Sequence, residues 1–359
     1  MQLHKLLFIS FTFLVFIPLQ RIQAQDKSFT VVIDPGHGGK DTGTTGTKRY
    51  KNKYEKDIVL AVSLEVEKMI KKELPNTKVI LTRKKDVFIE LKKRGEIANK
   101  ANADLFISIH ANAASYKAKG SETYVLGVHR NKTNLAVAKR ENDVILLEED
   151  YEKHYSYDPH SPASIISLTL MQEDYLDQSI RMATLVEKSF HEVGKRRTRG
   201  VKQAGFVVLH QTYMPSILIE VGFLSNKEEE DFLRKKSGQK KIAQSIVAGI
   251  KKYKEELDKN SVQSIPEVDT AFIFKDVIFK TQIASSSNKI ATKSYNFKGL
   301  KGIERVKVGK YYKYYLGSTS DYTKIKKLQT KAIEKGYKSA FIVAFKGKER
   351  ISINELLKN

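Results

Sequence analysis

From residue 28 to about residue 253 the apolar positions follow two alternating patterns. Short apolar runs, "FTVVID", "KVILTR", "DLFISIH", "AGFVVL" and "SILIEVGF", read as strands, the first and third of them buried. Between the first two, Val59, Val62, Val66, Met69 and Ile70 fall on one face of a helix, which Pro75-Asn76 closes. Leu91, Ile97, Ala98 and Ala101 predict another helix, and "EEEDFL" and "KIAQSIVAGIKKY" predict two more. Strands alternating with helices predict an α/β fold: a twisted, mostly parallel or mixed sheet flanked by helices. Functional groups in such sheets lie at strand ends.

Three stretches break this pattern. Residues 131–180 stand between "GSETYVLG" and "AGFVVL" and carry an amphipathic helical face of Val144, Leu147 and Tyr151. They read as an insertion into a sheet domain spanning 28–256. Residues 257–270 are polar, contain Pro266, and read as a linker. Residues 271–359 alternate strands such as "FKDVIFKTQIASS", "IERVKVGKYYKYYLGSTS" and "SAFIVAF" with one clear helix, "DYTKIKKLQTKAIEKG". They predict a small α+β domain.

The N-terminus is different again. After Lys5 comes "LLFISFTFLVFIP", then "IQAQD". Residues 1–24 read as a secretory signal peptide cleaved after Ala24. The apolar run is too short for an ordinary membrane span, and no second one follows. The mature chain is therefore expected to be exported, without a stable membrane span.

Composition narrows the chemistry. The 359 residues contain no cysteine, which excludes disulfides, thiolate metal sites and a cysteine nucleophile. The net charge of +23 points to an anionic partner. Export argues against nucleic acid, and "YYKYYLG" does not fit the RNP1 pattern of an RNA-binding sheet. The charge is uneven: residues 261–359 hold 20 basic and 8 acidic side chains, residues 131–180 hold 4 basic and 10 acidic.

His37 sits among glycines in "IDPGHGGK", just past a strand, and His110 closes a second strand in "SIHAN". Two histidines at neighbouring strand ends can converge on a metal. Glu55, at the start of the helix after the His37 loop, can add a carboxylate. Two histidines, a glutamate and water form a known catalytic zinc set. Glu220 interrupts the buried run "LIEVGF", where a carboxylate costs several kcal/mol unless paired or near a metal. Taken singly, each has a plain structural reading: a turn histidine, a helix-start acid, a buried ion pair. No HExxH spacing ties them together.

The blocks "VVIDPGHGGKDTGTTG", "YEKDIVLAVSLEV", "LTRKKDVFIELKKRGEIANKANADLFISIHANA", "GSETYVLG" and "RGVKQAGFVVLHQTYMPSILIEVGFLSN" together resemble the zinc-dependent N-acetylmuramoyl-L-alanine amidases of bacterial cell walls. The resemblance implies a zinc hydrolase with one Zn2+ per catalytic domain, held by His37, Glu55 and His110, with Glu220 as the catalytic glutamate. The reaction implied is hydrolysis of the amide between the lactyl group of N-acetylmuramic acid and L-alanine of peptidoglycan stem peptides, in wall remodelling and daughter-cell separation. Asn112 is a candidate substrate-positioning residue. His129, His154, His160, His191 and His210 match no motif and are read as non-catalytic.

"AKRENDVILLEEDYE" resembles the helix that covers the zinc site in some cell-division amidases until an activator protein moves it. That implies autoinhibition, with Glu141 or Glu148 in the open metal position; a solvated acidic helix face is the plainer reading. The C-terminal region resembles a SPOR domain, a four-stranded antiparallel sheet with helices on one face that binds peptide-free glycan. Tyr311, Tyr312, Tyr314 and Tyr315 are the candidates for stacking on sugars, with Tyr311 and Tyr315 on one strand face and the other two opposite. The expected partners are peptidoglycan and an activator, and the expected setting is a monomer in a Gram-negative periplasm. The nearest alternatives are a carboxypeptidase-like exported zinc hydrolase and a catalytically silent wall-binding protein.

Overall fold

The computed structural model describes residues 29–47, 49–50, 54–127, 132–149, 151, 162–262, 272–286, 288–308, 311–337, 340–347, 349–351 and 353–356. Residues 1–24, read above as a signal peptide, lie outside them.

Four of the five predicted apolar runs order the larger sheet. Its strands are Phe29–Pro35 (β1), Thr77–Leu81 (β2), Leu105–Asn112 (β3), Ser121–Leu126 (β4), Thr198–Ala204 (β5) and Ser216–Phe223 (β6). They lie in the order β2-β1-β3-β6-β4-β5. β1 pairs in parallel with β2 and β3, and β3 with β6. β4 runs antiparallel to β6 and parallel to β5, so the sheet is mixed, as expected. "AGFVVL" is a correction: only its first residue ends β5, and Val207–His210 form a short helix (α5). A continuous apolar run does not by itself separate strand from buried helix.

Helices cover both faces. On one side Glu55–Glu73 (α1), Pro162–Glu192 (α4) and Lys236–Val262 (α7) bury Val59, Val62, Val66, Val186, Phe190, Ile246 and Ile250 against Val31, Ile33, Ile107 and Ile219. On the other, Leu91–Lys100 (α2), Lys132–Asn142 (α3) and α5 pack Leu91, Val137, Ala138 and Val207 on Phe106, Tyr124 and Leu218. Lys227–Arg234 (α6) precedes α7. Two expected boundaries move. α4 runs straight across residue 180, where the insertion was expected to end, and Tyr175 and Met182 on it are buried. α7 continues to Val262, past residue 257 where the linker was expected to start.

The C-terminal region forms an antiparallel sheet of five strands rather than four: Ile278–Ser286 (β7), Ile303–Val308 (β8), Tyr311–Thr319 (β9), Phe341–Lys346 (β10) and the short Glu349–Ile351 (β11), in the order β11-β10-β7-β9-β8. Leu328 and Ala332 of Tyr322–Glu334 (α8) pack on Tyr314 and Leu316, with Tyr312 beside them. Tyr314 is fully buried, and its hydroxyl accepts from Ile290 N at 2.7 Å, so it is a core residue and not a surface for sugars. Tyr315 is on the opposite face, edge-on to Phe345 with Lys280 over its ring. The side chain of Tyr311 lies outside what is described. Among the described residues no helix is long and apolar enough to cross a membrane.

One buried acid on the α4 side stands at the start of β4. Glu187 accepts hydrogen bonds from Thr123 Oγ1 at 2.6 Å and Ser121 Oγ at 3.2 Å. Burial, which outweighs these bonds, and the nearby Glu122 carboxylate push its pKa up to about 7. The folded state therefore holds this proton more tightly than the unfolded chain does, and stability falls as pH rises from about 4.5 to 7. Urea unfolding of wild type and Glu187→Gln is expected to show the variant gaining on wild type by on the order of 1–3 kcal/mol between pH 5 and pH 8. Parallel pH profiles would remove Glu187 from this role.

Candidate metal centre

The site grows from the end of β1. Asp34 is buried, and its Oδ1 accepts from Thr82 Oγ1 at 2.6 Å and from Arg94 Nη1 at 2.9 Å, while Oδ2 accepts from Ser108 Oγ at 2.8 Å. Arg94 also donates to the carbonyls of Pro35 and His37, each at 2.9 Å. One buried ion pair thus ties β1, β2, β3 and α2 to the loop that carries His37. Removing either partner of such a pair typically costs about 3–5 kcal/mol.

That loop is strained. His37 has φ +58°, in the left-handed region that non-glycine residues seldom occupy. Gly36 solves a separate problem. A Cβ there would lie 2.4 Å from His110 Cε1, so only glycine lets the second imidazole reach the loop. The loop then returns to the N-terminus of α1, where Glu55 N donates to Thr44 O at 2.9 Å and Thr44 N to Glu55 Oε2 at 2.9 Å.

Four side chains converge. His37 Nε2 lies 3.1 Å from Glu55 Oε1 and 3.3 Å from Glu141 Oε2. His110 Nδ1 lies 3.3 Å from Glu55 Oε1, 2.9 Å from Glu141 Oε2 and 3.1 Å from His37 Nε2. All four residues are buried, and their nearest donor atoms lie within 4.8 Å of one another. His37, Glu55 and His110 were expected together from sequence. Glu141, from α3 in the insertion, completes the group.

The donor set fits a divalent metal such as zinc, which takes imidazole nitrogen and carboxylate oxygen in a tetrahedral arrangement. Two carboxylates and two imidazoles, all buried, aim lone pairs at one point. Asp41 Oδ2 lies 2.8 Å from His37 Nδ1, which leaves Nε2 facing the cluster. Ala111 N donates to Glu55 Oε1 at 2.8 Å, and Arg140 Nε to Glu141 Oε1 at 3.0 Å. Glu141 Oε2 is buried and faces the two imidazole nitrogens. Electrostatics agree. Burial opposes charge on both imidazoles, but Glu55 and Asp41 hold His37 well above the usual histidine range, and Glu141 lifts His110 to about 9. The pocket favours positive charge.

Glu220 stands one strand over, in register with His110 across β3 and β6. It is fully buried, and neither carboxylate oxygen has a hydrogen-bond partner. Burial, then the Glu141 charge, pushes its pKa well above the usual carboxylate range. The group nearest to pairing with it is Arg140, whose Nη2 lies 3.7 Å from Oε1. Arg140 also donates to Asn112 Oδ1 at 2.9 Å and Ala113 O at 3.0 Å.

Glu148 is elsewhere. Its Oε1 accepts from Leu91 N at 2.7 Å at the start of α2, so it helps order that helix and does not face the metal position. His191 and His210 are outside the cluster. His129, His154 and His160 lie outside the described residues. Sequence reasoning missed Asp41 and Arg140. The first had a signal, an acid four residues after His37. The second had none beyond its charge.

Because Asp41 orients His37, Asp41→Asn is expected to weaken divalent-metal binding about 10- to 100-fold, read by competition with a chromophoric chelator. An unchanged affinity would show that the ring is held by other contacts.

Residues 31–252 match the family model described as N-acetylmuramoyl-L-alanine amidase. The chain is 36% identical over 233 residues to N-acetylmuramoyl-L-alanine amidase AmiC of Escherichia coli, a match that covers 64% of this chain and 54% of that protein's length. It is 35% identical over 237 residues to AmiA of Escherichia coli, covering 65% of this chain and 79% of the relative. The solved catalytic domain of CwlV, an amidase from Bacillus (Paenibacillus) polymyxa, is 32% identical, with a TM-score of 0.45, 63% of this chain and 98% of that chain covered. The family match takes in β1 to β6 and the whole metal cluster, and on it this chain belongs to the N-acetylmuramoyl-L-alanine amidase family.

Proposed function

We propose that the protein is a zinc amidase that cleaves the amide between the lactyl group of N-acetylmuramic acid and L-alanine in peptidoglycan. The observation that carries this is Glu220: a fully buried, unbonded carboxylate beside a His37–Glu55–His110 donor set. His37, Glu55 and His110 would hold zinc. Bound there, zinc would polarise the scissile carbonyl and make water more acidic. Glu220 takes the proton from the attacking water and returns it to the leaving amine of L-alanine. Its raised pKa makes it a stronger base than a solvated carboxylate, and the same basicity lets it carry the proton to the amine.

We further propose that the covered geometry is an inhibited state. Glu141 stands where the substrate carbonyl must come, and Arg140 stands against Glu220. Beside the donors, the void lined by Asp34, His37, His110, Glu141 and Phe206 is about 10 Å³, roughly one water, and reaches neither Glu55 nor Glu220. No muramoyl peptide fits there until α3 moves. An activator protein binding the insertion is the expected trigger. The apolar run of residues 1–24 and the wall substrate support export, with the periplasm as the setting. The basic C-terminal sheet supports anchoring on glycan strands; Tyr315 is buried, which leaves the half-buried Tyr312 as the remaining described candidate for stacking.

Deleting the insertion would cut into α4, whose Ser179 Oγ accepts from Ser216 N at 2.9 Å inside the sheet domain. Point variants are the sharper test. Zinc-loaded full-length wild type, Glu141→Ala, Glu220→Ala and the double variant are incubated with purified sacculi, and products are read by mass spectrometry. Glu141→Ala is expected to release free stem peptides faster than wild type. Adding Glu220→Ala is expected to reduce that release by about 10²- to 10⁴-fold. Equal rates for wild type and Glu141→Ala would sink the inhibited state. No release by folded, zinc-loaded Glu141→Ala would sink the amidase reading.

A further inference from the structure

A second buried constellation lies beside Glu220 and takes no part in the metal cluster. Glu122 on β4 faces Glu220 directly across the antiparallel β4–β6 pair. It is buried, and it accepts from Asn112 Nδ2 at 2.7 Å, Tyr124 OH at 2.7 Å and Arg199 Nε at 2.9 Å, with Lys202 Nζ also on its Oε2. Arg199 and Lys202 come from β5, the edge strand. Their side chains keep 31% and 19% of their surface, so they reach solvent. Arg199 lies 5.1 Å over the Phe223 ring and Lys202 5.7 Å over Tyr124. One carboxylate thus fixes two cations, leaving a net positive charge at this edge.

The strand order gives the constellation its direction. The two histidines of the metal site come from the ends of β1 and β3, and Glu55 from the start of α1. Glu220 is on β6, next in order, then β4 and β5. The scissile carbonyl must sit over the metal donors, and the leaving amine must face Glu220 to receive its proton. The released peptide therefore departs from the β6 side and crosses β4 towards β5. Two strand spacings are about 10 Å. Two extended residues span about 7 Å, and the long Arg199 and Lys202 side chains cover the difference. Arg140, lying on Asn112 Oδ1, occupies the start of this track in the covered state.

We infer that Arg199 and Lys202, held by Glu122, form a subsite for a free carboxylate on the second residue of the departing stem peptide. The inference rests on the amidase reading above. It makes the enzyme selective for peptides whose second residue carries a carboxylate over those in which that group is a carboxamide, because a guanidinium pairs with the first in bidentate fashion and not with the second.

The test uses the full-length chain carrying Glu141→Ala, with and without Arg199→Gln or Lys202→Gln. Two muramoyl tripeptides are compared, differing only in carboxylate or carboxamide on the second residue. The parent is expected to prefer the carboxylate about 10-fold or more in kcat/KM, mainly through KM, and each variant to bring that ratio towards one. A ratio near one in the parent, or a variant that slows both substrates while keeping the ratio, overturns the inference. Calorimetric binding of the two released peptides is read in parallel. Absence of hydrolysis strikes the amidase reading, while the binding ratio still decides the subsite.

Discussion

Three carboxylates, Glu55, Glu141 and Glu220, meet out of reach of bulk solvent, and the arrangement depends on the positive charge it collects. Each imidazole leans on two of those oxygens, and Arg140 sits between Glu141 and Glu220. Buried charge of one sign is costly, so the surroundings are built to meet it. Arg94 compensates Asp34 beneath the His37 loop, and Arg199 and Lys202 compensate Glu122 on the far side. The centre is a row of acids from β1, α1, α3, β6 and β4, and the cations that answer it come from α2, α3 and β5.

That row explains the conformational cost at its start. His37 adopts a left-handed backbone, and Gly36 forgoes a side chain, so that two rings can approach each other. Strain of this kind persists only where the surroundings over-determine it. Here they do: Arg94 grips the His37 carbonyl, Asp41 grips its ring, and α1 grips the end of the loop.

Much of this was legible in the sequence because it is local. Apolar runs marked the strands, and chemistry-bearing residues stood at or next to their ends, so His37, Glu55 and His110 could be expected in one place. The parts that escaped are those made by pairing distant segments. Glu122 meets Glu220 only because β4 turns antiparallel against β6, a choice that no periodicity in either strand reveals. Glu148 and Glu141 look alike in an acidic run, yet one bonds the start of α2 and the other reaches the histidines. The tyrosines of β9 alternate as the strand period requires, but which face a helix covers is decided by α8. The run "AGFVVL" is apolar enough for strand or helix, and packing chose the helix.

Arg140 and Glu141 are neighbours on α3, one facing an acid and the other two bases. Whatever lifts that helix withdraws a cation and an anion in the same movement. The cleft changes its occupants without changing its net charge. On the inhibited-state proposal, opening would be governed by how well water solvates the withdrawn ion pair and by the contacts of Val137 and Ala138, and ionic strength would have little hold on it. A partner that captured the helix would then work against packing and solvation, not against charge.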